Sequence, residues 1–134
     1  MEDHLKFFLS DFQNADFVKS LPDNMLSLVT SCLSYTWVNI KGTKYKPGMV
    51  FLLKGDPVFG MLETILVNIS NQKFFIFSYL LTVGFDEHVN GYEVETLSEI
   101  RWHSVCNHDL FHPLPFSLHQ SIHNKKYVVL RHML

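Results

Sequence analysis

The stretch that most constrains this chain runs from Tyr45 to Val67. Pro47-Gly48 opens an apolar run from Met49 to Leu53, Gly55-Asp56-Pro57 closes it, and a second run, Val58 to Asn68, follows at once. Two runs of strand length separated by a proline and glycine turn predict consecutive antiparallel strands. Gly60, near the start of the second run, marks a bulge or a close backbone approach.

Further strand-like segments surround this pair. Tyr35 to Ile40 is β-branched and aromatic and ends at Lys41-Gly42, a turn signal. After the polar hinge Ser70-Asn71-Gln72, Lys73 to Val83 reads as a long strand that must bury most of both faces or curl. Asp86 to Gly91 reads as a loop, Tyr92 to Val94 as a short strand, Glu95 to Ile100 as a connection, and Trp102 to Val105 and Lys126 to Arg131 as strands. Pro113 and Pro115 break up the segment from Cys106 to Ser117. Asn68-Ile69-Ser70 fits a glycosylation acceptor, but with no secretory signal it reads as a turn.

Ahead of the strands the period changes. Leu5, Phe8, Leu9 and Phe12 fall at i, i+3, i+4 and i+7, which predicts an amphipathic helix over Glu2 to Gln13. A second helical piece covers Ala15 to Ser20. A third starts with Asp23 as N-cap and places Met25, Leu28, Val29, Cys32 and Leu33 on one face. Short strands that never alternate with long helices predict a mainly β domain, α+β by element count. The expected architecture is a small antiparallel β-barrel of SH3 or bromo-adjacent-homology type over 35–134. An N-terminal helical segment, 1–34, packs on it, with Phe7, Phe8 and Phe12 as candidates for the contact.

Composition narrows the function classes. Twelve Phe, five Tyr and two Trp in 134 residues favour a pleated sheet, where flat rings stack. A net charge of −2 excludes a surface built wholly for nucleic acid, though not a local basic patch. Cys32 and Cys106 lack any local spacing and read as thiols rather than a disulfide. The first twenty residues carry four acids and no uninterrupted apolar run, unlike a signal peptide, and no stretch reaches the roughly 18 apolar residues of a membrane-spanning helix. The expectation is a soluble, intracellular chain, the nucleus included, and one that could be cut from a longer polypeptide.

Three constellations bear on chemistry. Seven of eight histidines follow residue 87, and Cys106, His108 and His112, with His103 upstream, offer imidazole and thiolate, the donors zinc prefers. Their spacing matches no common finger or ribbon, so the set reads as scattered histidines, with no metal or other cofactor expected. The same imidazoles would swing the net charge positive on acidification. No nucleophile elbow, Walker loop or dinucleotide fingerprint occurs, and adjacent pairs such as His108-Asp109 point to opposite faces of a strand. Catalysis is therefore not expected. Lys41, Lys44 and Lys46 interleaved with Tyr45, and Lys125, Lys126 and Arg131 near the end, would form one phosphate-contacting face if the first and last strands were neighbours. Finally, small barrels bind extended peptides in aromatic cages or by adding a strand at an open edge. Trp37, Tyr45, Tyr92 and Trp102, with Tyr35, are the polar-tipped rings suited to that.

Gly42 to Val50, Pro57 to Ile65, Gly91-Tyr92-Glu93-Val94 and Tyr127-Val128-Val129-Leu130 together resemble the C-terminal module of a group of uncharacterised multi-copy animal proteins, some of which carry zinc-finger-like segments. The Tyr-x-x-Gly-x-x-Val opening and the Phe-Gly-x-Leu-Glu-x-Ile strand are more distantly similar to bromo-adjacent-homology and Tudor-like barrels. That second likeness implies a chromatin-peptide reader, but cage aromatics do not match one by one and no binding residue transfers. The sequence thus ranks a non-catalytic protein- or peptide-binding module first, a nucleic-acid-binding module second and a metal-dependent enzyme third. The oligomeric state is left open.

Overall fold

The computed structural model describes residues 3–7, 21–112, 114–121 and 123–129. Among them are ten strands: β1 (Asp3–Phe7), β2 (Leu33–Ile40), β3 (Thr43–Tyr45), β4 (Val50–Lys54), β5 (Val58–Val67), β6 (Lys73–Asp86), β7 (Gly91–Thr96), β8 (Trp102–Cys106), β9 (Leu118–Gln120) and β10 (Lys126–Val129). One α-helix, α1 (Asp23–Ser31), precedes β2. All pairings are antiparallel, as a chain of short strands and tight turns dictates. The fold is mainly β and barrel-like, as the sequence predicts.

The main path through the sheet is β1-β2-β5-β6-β7-β10-β9, with β3 on β2, β4 on β5 and β8 on β6. The sheet curls until the segment leading into β9 meets β4. Phe116, two residues before β9, exchanges backbone hydrogen bonds with Val50 of β4, 2.7 Å from Phe116 N to Val50 O and 3.3 Å in return. That bridge closes a ring of β4, β5, β6, β7, β10 and β9.

Alternation along the strands divides the apolar residues among three cores. Ile65 and Phe75 face one way, with Val38, Tyr45, Phe51, Leu53, Leu62 and Phe77. Their neighbours Leu66 and Ile76 face the other way, against Leu21, Met25, Val29 and Cys32 of the α1 segment. Inside the ring lie Val50, Leu52, Phe59, Leu80, Val94, Phe116 and Val128. Phe51, Phe59, Phe75 and Phe77 are fully buried, each contributing about 1.5–3 kcal/mol of transfer free energy.

The N-terminus corrects the sequence reading. Where a helix is expected over Glu2 to Gln13, Asp3–Phe7 instead pairs with β2, from Asp3 opposite Val38 to Phe7 opposite Ser34. Leu5 and Phe7 alternate with His4 and Lys6 in the sequence, so the same letters carry a period of two, and the segment pairs with β2 in a register that shifts between His4 and Leu5 and again between Leu5 and Phe7. The strand joins the sheet, so residues 1–34 are not a purely helical segment. The remainder of that expected helix, the piece over Ala15 to Ser20, and Phe8 and Phe12 lie outside the described residues. The third helix forms and packs on the sheet, but it ends at Ser31, so Leu33 opens β2 and is exposed rather than on the helix face. Asp23 is the first residue of the helix, not its cap: the Pro22 carbonyl receives Met25 N and Leu26 N, both at 3.0 Å. Asp23 then favours the helix dipole from the first turn.

Candidate interaction surface

The aromatic residues nominated by the sequence do not form one cage. Tyr45 is 5% exposed and sits among Phe51 and Phe75, with ring centroids 5.7 and 5.2 Å away. Burial raises its phenol pKa, offset in part by a hydrogen bond with Thr43. A phenol held this way is core, because β3 presents it inward across from Val38. Trp37 is half-buried on β2 and carries the Lys44 ammonium 4.9 Å above its ring. Tyr35 packs at the margin of the same core as Tyr45, and Trp102 packs against the α1 core. Tyr92 bridges Phe59, 5.7 Å away inside the ring, and Phe85, 5.1 Å away at its margin.

Strand order separates the two basic clusters. β10 pairs with β7 and β9, and β2 with β1, β3 and β5, so the first and last expected strands are not neighbours. Lys41 holds the β2–β3 turn with φ 52°, Lys44 is engaged by Trp37, and Lys46 lies beside Phe116 in a groove of 540 Å³. Lys125 and Lys126 share a groove with Glu93 and Glu95, and Lys125 Nζ is 3.9 Å from Glu93. A phosphate approaching there meets carboxylates as well as ammonium groups. Arg131 lies outside the described residues.

The histidine-rich third is also dispersed. Cys106 Sγ is 3.4 Å from His108 Nδ1, but His112 Nδ1 faces the Leu114 carbonyl at 3.2 Å and its ring stacks on Phe116. Among the described residues no three of His, Cys, Asp or Glu are grouped as a metal would require. His103 instead meets the Tyr79 hydroxyl, 3.0 Å from its Nδ1, over the face of Phe77. Burial, and then the Lys54 charge, lower its pKa below the ordinary 6.5.

The feature that residue-by-residue reasoning misses is a strand edge. β6 is fourteen residues long, and β5 pairs with it only as far as Tyr79, opposite Gly60. Beyond that point β7 takes one edge of β6, from Leu80 opposite Thr96 to Asp86 opposite Gly91. Among the described residues no strand pairs with the other edge of Leu81 to Asp86. The β4–β5 turn reaches it, where the Thr82 hydroxyl donates to the Pro57 carbonyl at 3.1 Å. Three large apolar side chains stand in this short segment, Leu81, Val83 and Phe85, 47, 51 and 47% exposed. A bulge between Thr82 and Gly84 breaks the alternation, so Phe85 comes to lie opposite Tyr92. The signal in the sequence is length, since a strand this long outlasts its neighbours.

The comparisons with known proteins add no relative: no family model, curated protein or solved structure matches the chain. No helix among the described residues is long and apolar enough to cross a membrane.

Proposed function

We propose that this chain is a non-catalytic interaction module of an intracellular protein, the nucleus included, and that it binds an extended protein or peptide segment along the unpaired edge of β6. The observation that carries this reading is the surplus of β6 over β5. Leu81 to Asp86 offers backbone donors and acceptors on one edge with exposed Leu81, Val83 and Phe85 beside them. Main-chain hydrogen bonds along such an edge supply affinity, and the alternate side chains supply selectivity. Soluble proteins usually blunt an apolar edge with lysine, proline or a covering loop. Here a bulge between Thr82 and Gly84 and the β4–β5 turn at Pro57 interrupt it. The free thiols Cys32 and Cys106 accord with a reducing compartment.

The test is affinity capture from cell extract, with and without nuclease, using the chain and a Leu81→Lys, Val83→Lys variant. The reading predicts protein capture that survives nuclease and is lost in the variant, with circular dichroism unchanged because both side chains are half exposed. Capture that nuclease abolishes would move the function to nucleic acid. Capture indifferent to the two lysines would place the ligand elsewhere on the barrel.

A further inference from the structure

The charges around the β6 edge point to the chemistry of what it receives. Leu81 lies directly opposite Glu95 on β7, so the two side chains share a face. Asp86 ends the strand and Glu87 follows it in the turn. At the other end, Asp56 precedes Pro57, whose carbonyl takes the Thr82 hydroxyl. Asp56, Glu87 and Glu95 are all exposed. Glu93, opposite Gly84, is answered by Lys125 at 3.9 Å, and Asp86 Oδ1 receives His88 N at 2.9 Å within its own turn. On the turn and the β6–β7 arm, Lys54 is the cation set against Asp56, Asp86, Glu87, Glu93 and Glu95, with Lys125 and Lys126 lining the same groove as Glu93 and Glu95 from the β10 side. The apolar edge therefore sits within an excess of negative charge, although the whole chain carries only −2.

Resting on the strand-addition reading above, we infer that the edge from Leu81 to Asp86 selects an extended segment that alternates apolar and small polar residues and carries lysine or arginine near its ends. Its apolar positions cover Leu81 on the face that Glu95 shares, its other positions pass Phe85 on the Tyr92 face beyond the bulge, and its cations reach Asp56 at one end and Glu87 or Glu95 along the arm. Rim charges of this kind choose between partners and set association rates more than they add affinity. The same carboxylates disfavour an acidic segment.

The experiment titrates the full chain with capped synthetic peptides alternating valine and threonine, one ending in lysines, one in glutamates, and one lysine-ended with alternate backbone amides methylated. The lysine-ended peptide is expected to bind about tenfold tighter than the glutamate-ended one, with the gap narrowing as salt is raised. An Asp56→Lys, Glu95→Lys variant is expected to invert the order. Equal affinity for both peptides would overturn the charge inference and leave strand addition standing. Failure of every peptide, or binding of the methylated one as tight as its parent, would overturn strand addition and the inference with it. Concentration-dependent dimerisation that protects Leu81 to Asp86 would assign the edge to a second copy of the chain and overturn both.

Discussion

At the scale of single residues, the close contacts that shape the barrel fall on two glycines that differ in what they touch. A Cβ on Gly60 would lie 2.5 Å from Leu53 Cδ1, a side-chain tip, and 3.2 Å from Phe77 Cβ. On Gly91 it would lie 2.6 Å from the Val128 carbonyl oxygen, which is fixed by the β7–β10 ladder. Side chains yield and ladders do not. Gly60→Ala should therefore cost about 1–3 kcal/mol in urea denaturation, and Gly91→Ala should cost more. The reverse order would mean that β10 shifts more easily than Leu53 repacks. His103 gives a pH prediction with a definite sign. Its folded pKa is depressed by burial and then by Lys54, so the unfolded ring binds protons more readily. This contribution is intact above the ordinary value of 6.5 and is lost as pH falls from there toward the lower folded value. His103→Gln, which keeps a partner for Tyr79, should lose less stability than the parent between pH 7.5 and 5.5, measured as urea midpoints. An equal loss would assign the acid sensitivity to other groups.

At the scale of elements, most strands were legible because their turns are written in the chain. Lys41-Gly42 makes a two-residue loop with φ of 52° and 86°, the geometry of a tight hairpin turn, closing Ile40 against Thr43. Lysine is costly in that left-handed region, and asparagine is not. Lys41→Asn should raise stability by about 0.5–1 kcal/mol, read as a higher thermal midpoint, and no gain would mean the turn relaxes around lysine. The ring closure was not legible, since it depends on one bridge between Val50 and Phe116, distant in sequence. Phe116 is 3% exposed and meets Phe59 edge-on at 6.1 Å. Phe116→Ala should cost about 3–5 kcal/mol in the same denaturation assay. A cost under 1 kcal/mol would show that the bridge holds without its side chain. The strand at Asp3–Phe7 was missed for a different reason. Its letters fit both periods, and pairing with β2 decided between them.

At the scale of the whole molecule, the sequence pointed to a ring-rich curled sheet, and the structure has one. The sequence was poorer on the site, because it weighs residue types while an open edge is a matter of relative strand lengths. Tyr45 shows the gap: a polar-tipped ring between lysines suggested a binding surface, yet β3 turns it into the core. The curl also accounts for the surplus edge. The ring forms where β6 passes from pairing with β5 to pairing with β7, and the strand must run beyond β5 to reach its next neighbour. Amide hydrogen exchange with and without the lysine-ended peptide reads whether Leu81 to Asp86 is an open edge able to accept a strand. In the free chain, the amides of residues 81–86 that do not pair with β7 should exchange far faster than those of Phe74 to Phe77, and the peptide should slow them. Slow exchange of those amides in the free chain would show the edge already covered and contradict the account.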